Sequence, residues 1–356
     1  MGLLVLEDGR VFEGESYGAS ATRVGEVVFN TAMSGYQETL TDPSYTEQIV
    51  VMTTAHVGNY GVNEEDVESD RVHVAGFVAR QFARQHSNHR ATRSLQDYLR
   101  EAAVPGLHGI DTRALVRHIR NKGAMKAAIS TDESPVDALR ARIDAYPGMN
   151  GRALAAEVAT PVRYTFAEGP GLRLAVLDGG VKRNMLRLFA SRGCHVEVFP
   201  SDARAEELAD GFDAVFLTNG PGDPAALPGM FGEVRKLIGR RPLLGVCLGH
   251  QLLGLALGAD TFKLRFGHRG ANHPVRDIET ERVEITSQNH GFCVDPAGVE
   301  RAGGRVTHTN LNDGTLEGFC HPDHRIVCVQ FHPEAAPGPH DSRHLLVERF
   351  LEWAKA

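Results

Sequence analysis

One stretch carries the plainest chemistry: Pro242-Leu243-Leu244-Gly245-Val246-Cys247-Leu248-Gly249-His250-Gln251-Leu252-Leu253-Gly254. An apolar run ends at Gly245-Val246, a single cysteine follows, and an apolar-periodic segment (Leu248, Leu252, Leu253, Leu255, Ala256) then opens like a helix. Glycine stands two residues before Cys247 and two after it, the pattern of a G-x-nucleophile-x-G elbow with cysteine in the serine position. The turn from strand to helix is tight, and larger neighbours would clash with it. A cysteine at the first turn of a helix meets unpaired N–H groups and the positive end of the dipole, which favour the thiolate. Most free cysteines only fill a core; the two glycines and the strand-to-helix switch set this one apart.

An ordinary thiol is only a few per cent ionised at neutral pH. A helix terminus contributes about 0.3–1 kcal/mol and at most about 2, too little by itself to make the thiolate dominant. A histidine partner is therefore expected. His332-Pro333-Glu334, directly after a strand ending at Phe331, offers an imidazole with a carboxylate two residues on. A thiol, a base and an acid that orients the base form the arrangement that activates cysteine for acyl transfer. Thr218-Asn219-Gly220-Pro221-Gly222-Asp223-Pro224 also follows a strand. It is no dinucleotide fingerprint, since two prolines stiffen it and no acidic residue stands about twenty positions on to hold a ribose. Such a loop can present a backbone N–H to an oxyanion instead. The chain carries no G-x-x-x-x-G-K-[ST] phosphate loop.

The elements that must position these residues differ between the two halves. Up to about residue 60 the chain reads as β-rich, with short runs at Gly25–Asn30 and Glu47–Met52 separated by turn formers such as Asp42-Pro43-Ser44. A further strand is expected at Val72–Val78, then helices from Ser94 to Arg100 and from Asp111 to Arg120, capped by Ser94 and Asp111, with Gly123 able to stop the second. A composition shift from Glu157 to Gly171 carries Pro161, Gly169, Pro170 and Gly171 with little periodicity. It divides the chain into a domain at 1–155, a linker at 156–170 and a second domain at 171–356. In the second, strands at Leu172–Leu177, His195–Phe199, Asp213–Thr218 and the elbow alternate with helices such as Arg183–Arg192. The fold class that follows is α/β: a β-rich N-terminal α/β domain, then a doubly wound, mostly parallel sheet with functional loops at its carboxyl ends. Later strands are expected near Val283–Thr286 and Ile326–Phe331, and a terminal helix from about Ser342 to Trp353.

At 356 residues two domains are the natural expectation. A net charge of −7 without a basic run argues against a general nucleic-acid binder. No apolar stretch is long enough to span a bilayer, and the first residues lack a basic flank and cleavage site, so the reading is cytoplasmic, with no membrane partner. Five cysteines, an odd number without C-x-x-C, argue against a disulfide framework or a zinc ribbon. His340 and His344 stand four apart, and Cys320-His321 lies near His324, but no spacing supports a metal site and none is expected.

The motifs together resemble a known family. Gly245–Gly254, the 219–224 loop and His332-Pro333-Glu334 look like a class I (triad) glutamine amidotransferase domain. Val24-Gly25-Glu26-Val27-Val28-Phe29-Asn30-Thr31, Ser34-Gly35-Tyr36-Gln37-Glu38, Thr41-Asp42-Pro43-Ser44-Tyr45, Gly109-Ile110-Asp111-Thr112-Arg113 and the run Pro333–Asp341 resemble the small-subunit family of carbamoyl-phosphate synthase. The match covers essentially the whole chain. One departure is the stretch Thr53–Asn59, where the family has an aromatic–proline pair before the Gly-Asn turn; it touches no catalytic position.

By position, the resemblance implies Cys247 as nucleophile, His332 as acid/base and Glu334 as its orienting carboxylate. Gly220 and Leu248 would give the oxyanion-hole N–H groups. Substrate glutamine would meet Ser44, Gly220, Gly222, Leu248, Gln251, Asn289, Gly291 and Phe292, of which Ser44 comes from the other domain. The last three lie in Ser287–Phe292, read as a polar loop. The resemblance also implies a large synthetase subunit that uses ATP, magnesium and bicarbonate, with no cofactor on this chain. The C-terminal half alone would suit anthranilate or GMP synthesis, but the roughly 150 N-terminal residues argue against both. A regulatory subunit with an idle triad is disfavoured because all three triad positions are filled.

Overall fold

The computed structural model describes residues 1–339 and 343–355, with side chains of the terminal helix from Leu346 onward. His340, Asp341 and Ser342, and the side chain of His344, lie outside the described residues. By internal contacts the chain divides into two units, Met1–Asn150 with Arg265–Gly270, and Gly151–Leu264 with Ala271–Ala356.

The first unit is a closed barrel whose strands run, in spatial order, Gly2–Leu6, Val11–Gly18, Pro105–His108, Gly76–Val78, Gln48–Met52, Thr22–Asn30 and Met125–Ser130. Period-two alternation builds its inside: Leu4 and Leu6 join Val27, Ile49, Val51, Leu107 and Ile129 in one core. Val5, between them, packs outward with Ala128, Leu139 and Ile143. The helix Leu95–Glu101 starts where Ser94 Oγ accepts the N–H of Asp97 at 3.1 Å. The helix Thr112–Lys122 starts where Asp111 Oδ1 accepts from Ala114 N at 2.9 Å, and ends at Gly123 with φ 109°. It presses Leu115 and Ile119 into the barrel core. The strand expected at 72–78 is shorter than its composition suggests. Only Gly76–Val78 joins the ladder, because the N–H of His73 goes to Leu40 O instead.

The second unit is built on a ten-stranded sheet ordered Tyr164–Ala167, His195–Phe199, Arg173–Leu177, Ala214–Leu217, Leu243–Val246, Ile326–Val329, Leu316–His321, Arg305–Asn310, Thr261–Asp277 and Val283–Val294. The five from His195–Phe199 to Ile326–Val329 are mutually parallel, and antiparallel strands extend the sheet beyond them. Its middle strands are apolar on both faces, as a strand covered on both sides must be. Leu174, Val176, Phe216 and Leu244 pack with the helices Arg183–Ala190 and Arg343–Lys355 on one face. Ala175, Leu177, Val215 and Leu243 pack with Pro228–Leu237 and Leu248–Leu257 on the other. This is a doubly wound arrangement.

Two stretches depart from the sequence reading. The expected linker is folded onto the second unit: Tyr164–Ala167 pairs antiparallel with His195–Phe199. Arg163 forms an ion pair with Glu197 and lies 4.5 Å over the Phe199 ring. The strand sits at the sheet's edge, with Tyr164 and Thr165 exposed and Phe166 and Ala167 partly buried against the core. The other is the long strand Thr261–Asp277, in which Arg265–Gly270 counts with the first unit.

Candidate active site

Cys247 sits between the strand Leu243–Val246 and the helix Leu248–Leu257 with φ 53° and ψ −103°, outside the regions open to ordinary L-residues. Bonds from both sides hold it there. Its N–H donates to Val329 O at 2.9 Å, and the N–H of Gly249 donates to Thr218 O at 2.9 Å. The glycines are required by close approach: a Cβ on Gly249 would lie 2.1 Å from Leu217 O, and one on Gly245 2.7 Å from the Gly249 backbone. Cys247 is 2% exposed, with its Sγ 3.6 Å from the carbonyl oxygen of Asn289.

His332 follows the parallel strand Ile326–Val329 and is fixed by its N–H bond to Ser287 O at 2.8 Å. Its Nδ1 lies 2.7 Å from Glu334 Oε1, which leaves Nε2 for other work. Within the described residues Nε2 has no hydrogen-bond partner, and Cys247 is near enough for the two groups to influence each other's charge. Burial opposes a charged imidazole, but the Glu334 carboxylate and the Cys247 sulfur outweigh it and hold His332 above the ordinary histidine range. Burial likewise opposes the Glu334 carboxylate, while Lys182 and His332 outweigh it and hold that group below the usual carboxylate range.

Lys182 is a residue the sequence reading did not single out. Its Nζ lies 3.0 Å from Glu334 Oε1 and donates to Ala335 O at 2.7 Å. It is placed by the turn after the strand Arg173–Leu177, where Asp178 Oδ1 accepts from Gly180 N at 2.8 Å and Val181 N at 2.9 Å. Asn219 Oδ1 accepts the N–H of Lys182 at 3.1 Å, tying this turn to the Gly-rich loop. Gly220 is forced by the same proximity, since a Cβ there would lie 2.0 Å from Gly179 O and 2.8 Å from Leu248 Cδ2. Gly222 has φ 94°, and a Cβ there would meet Arg152 O at 2.5 Å. Leu248 opens its helix, so its N–H has no carbonyl one turn earlier to bond. All these loops leave the carboxyl ends of parallel strands, where open α/β sheets hold ligands.

Of the residues expected around the substrate, Gln251 donates through Nε2 to Phe292 O at 3.0 Å and to Gln330 Oε1 at 3.1 Å. Asn289, Gly291 and Phe292 are not in a loop: they lie within the strand Val283–Val294. Hydrogen bonds from neighbouring strands offset part of the cost of burying a polar run in a strand here. Gln288 Nε2 donates to Glu317 Oε2 at 2.9 Å, and Asn310 Nδ2 donates to Glu317 Oε1 at 2.7 Å. Ser44 belongs to the first unit, in the turn Pro43–Tyr45, with its N–H donating to Asp42 Oδ1 at 2.9 Å.

A cysteine sulfur, an imidazole and a buried carboxylate thus occur in one unit, the three kinds of group that cysteine-dependent acyl transfer uses. Residues 4–129 match the model of the carbamoyl-phosphate synthase small chain, CPSase domain, and residues 175–352 that of class I glutamine amidotransferases. The carbamoyl phosphate synthase small chain of Solidesulfovibrio magneticus is 49% identical over 96% of this chain and 95% of that one. That of Clostridium perfringens is 48% identical over 99% of both chains. Among solved structures, a glutamine amidotransferase of Thermotoga maritima matches 52% of this chain and 82% of its own, at 20% identity and TM-score 0.36. On the family models and on near full-length identity, this chain belongs to the carbamoyl-phosphate synthase small chain family.

Proposed function

We propose that this chain hydrolyses glutamine and hands the ammonia to a large synthetase chain, as the glutaminase subunit of carbamoyl-phosphate synthase. The observation that carries the reading is Cys247 on its strained elbow beside a His332 that Glu334 orients at 2.7 Å. The Cys247 thiolate attacks the side-chain amide carbon of glutamine. Backbone N–H groups of Gly220 and Leu248 receive the oxyanion, each donor worth roughly 10²–10³ in rate by comparison with oxyanion-hole donors elsewhere. Protonated His332 gives its proton to the departing nitrogen, ammonia leaves, and a γ-glutamyl thioester remains on Cys247. Neutral His332 then takes a proton from water, the hydroxide attacks the thioester, and glutamate and the thiolate are released. One water is consumed for each glutamine.

Ser44, Gly222, Gln251, Asn289, Gly291 and Phe292 are proposed to hold the substrate. ATP, magnesium and bicarbonate act on the large chain, and this chain needs no cofactor of its own. The complex works in the cytoplasm and supplies carbamoyl phosphate for arginine and pyrimidine synthesis. The test is Cys247→Ser in the complex with the large chain. Glutamine-dependent carbamoyl phosphate formation should disappear while free ammonia still supports it. Full glutamine-dependent activity in that variant would overturn the nucleophile assignment.

A further inference from the structure

The first unit carries a concentration of positive charge that hydrolysis of glutamine does not use. On the helix Thr112–Lys122, Arg113, Arg117 and Arg120 stand at i, i+4 and i+7 and are exposed, so they share one face. They line a cavity of 370 Å³ together with Thr53, Thr112 and Val116. Arg117 also borders a second cavity of 330 Å³, lined by Arg10, Ala114, His118, Asn121 and Lys122. Among the described residues no carboxylate lines either cavity. Asp111 is turned to the helix N-terminus, and Asp8 is held by His118 at 2.6 Å. Among the described residues none of Arg113, Arg117 and Arg120 has an ion pair or a side-chain hydrogen bond.

Three unneutralised guanidinium groups on one face of a chain with net charge −7 repel one another and gain most from a shared anion. Guanidinium forks match phosphate oxygens in pairs, and threonine hydroxyls add donors to the same oxygens. The 370 Å³ volume falls in the range of small-molecule pockets. An acidic protein segment needs a longer track, whereas here the three arginines line one concavity together with Val116. We propose that this cavity is a binding site for a small phosphate-bearing anion, with Arg117 at its centre. The proposal stands independently of the glutaminase reading.

Inorganic pyrophosphate is the probe, added to the full-length chain with chloride matched for ionic strength and read by calorimetric titration and thermal unfolding. Saturable binding is expected, with a raised melting temperature, and Arg117→Glu should weaken it at least tenfold while glutamine hydrolysis persists. Arg120→Glu should act likewise, and both exposed changes should leave the unliganded melting temperature unaltered. Two results would overturn the proposal. One is no binding beyond the chloride control, or binding that both reversals leave intact. The other is no pyrophosphate binding together with loss of the large chain from Arg117→Glu preparations, which would make the face a dock for an acidic partner segment.

Discussion

Lys182 Nζ lies 3.0 Å from Oε1 of Glu334, the same oxygen that His332 Nδ1 meets at 2.7 Å. Lys182, Glu334, His332 and Cys247 are 3%, 1%, 2% and 2% exposed. With the sulfur ionised, the row reads minus, plus, minus, plus from Cys247 to Lys182 and sums to zero. So little of these side chains reaches solvent that an unbalanced charge there costs several kcal/mol. Lys182 is thereby a positioning residue: it lets Glu334 stay ionised in the core, and Glu334 in turn keeps His332 charged.

Replacing that lysine by an apolar residue of similar length should therefore disable the thiol without touching it. In Lys182→Met the buried row carries one net negative charge, relieved most directly by protonating a carboxylate or the sulfur. Glutamine kcat/KM should fall about 10–100-fold, and iodoacetamide should alkylate Cys247 more slowly at neutral pH. Stability should fall by about 3–5 kcal/mol, the usual cost of removing one member of a buried pair. Unchanged alkylation and unchanged kcat/KM would show that the ammonium is a packing element only.

The charges also set a pH dependence. The folded-state pKa of His332 is raised, so its contribution is complete below its unfolded value of about 6.5 and is lost as pH climbs through the raised one. That of Glu334 is depressed, so its contribution is complete above its unfolded value of about 4.3 and is lost as pH falls through the depressed one. The pair stabilises most fully between those two unfolded values. In Glu334→Gln the anion that favours imidazolium is gone, and His332 must titrate lower. On the proposed mechanism ammonia departs with a proton from His332, so the alkaline limb of kcat/KM for glutamine should move to lower pH. An alkaline limb left in place would disconnect Glu334 from His332 function.

The elbow glycine makes a third case. A methyl on Gly249 would sit 2.1 Å from the Leu217 carbonyl oxygen, a separation that side chains cannot tolerate. The helix Leu248–Leu257 would have to withdraw from the strand Ala214–Leu217, carrying the Leu248 N–H with it. Gly249→Ala should lose at least about 2 kcal/mol of stability, in the range of core overpacking. It should also lower kcat more than it raises KM, because the oxyanion forms only on the reaction path. A variant with native kcat and native denaturation midpoint would place this contact outside the requirements of the site.

Much of this was legible in the residues themselves. Leu174–Leu177 and Leu243–Val246 are apolar at every position because both faces are covered, and the G-x-C-x-G spacing fixes an elbow wherever it follows such a strand. Ser94 and Asp111 announced their helices through local hydrogen bonds, which depend on near neighbours alone. What escaped depends on distant partners. Asn289 looks like a loop residue until Glu317, far along the chain, accepts a hydrogen bond from its neighbour Gln288. Tyr164–Ala167 is only four residues between Pro161 and Gly169-Pro170, and it becomes a strand through its distant partner His195–Phe199, where Glu197 also anchors Arg163. Lys182 carries no local mark of burial; only the return of Glu334 from the end of another strand explains a lysine there.

The strain at Cys247 gives a test in which activity plays no part. With φ 53° and ψ −103° the residue lies off every well that a Cβ permits, at a cost of roughly 1–3 kcal/mol. Removing the thiol as Cys247→Ala keeps the Cβ and the strain, whereas Cys247→Gly removes both. Glycine carries its own penalty of roughly 0.5–1 kcal/mol from unfolded-chain entropy. The strain is the larger quantity, so Cys247→Gly should be more stable than Cys247→Ala by about 1 kcal/mol, in the same direction as the general preference for glycine over alanine at an N-cap. Neither variant should hydrolyse glutamine. Urea midpoints taken at equal m-values give the comparison directly. An alanine variant as stable as the glycine variant, or more so, would mean that the elbow relaxes without its thiol. The backbone would then owe its shape to the sulfur's partners, not to the bonds from Val329 and Thr218.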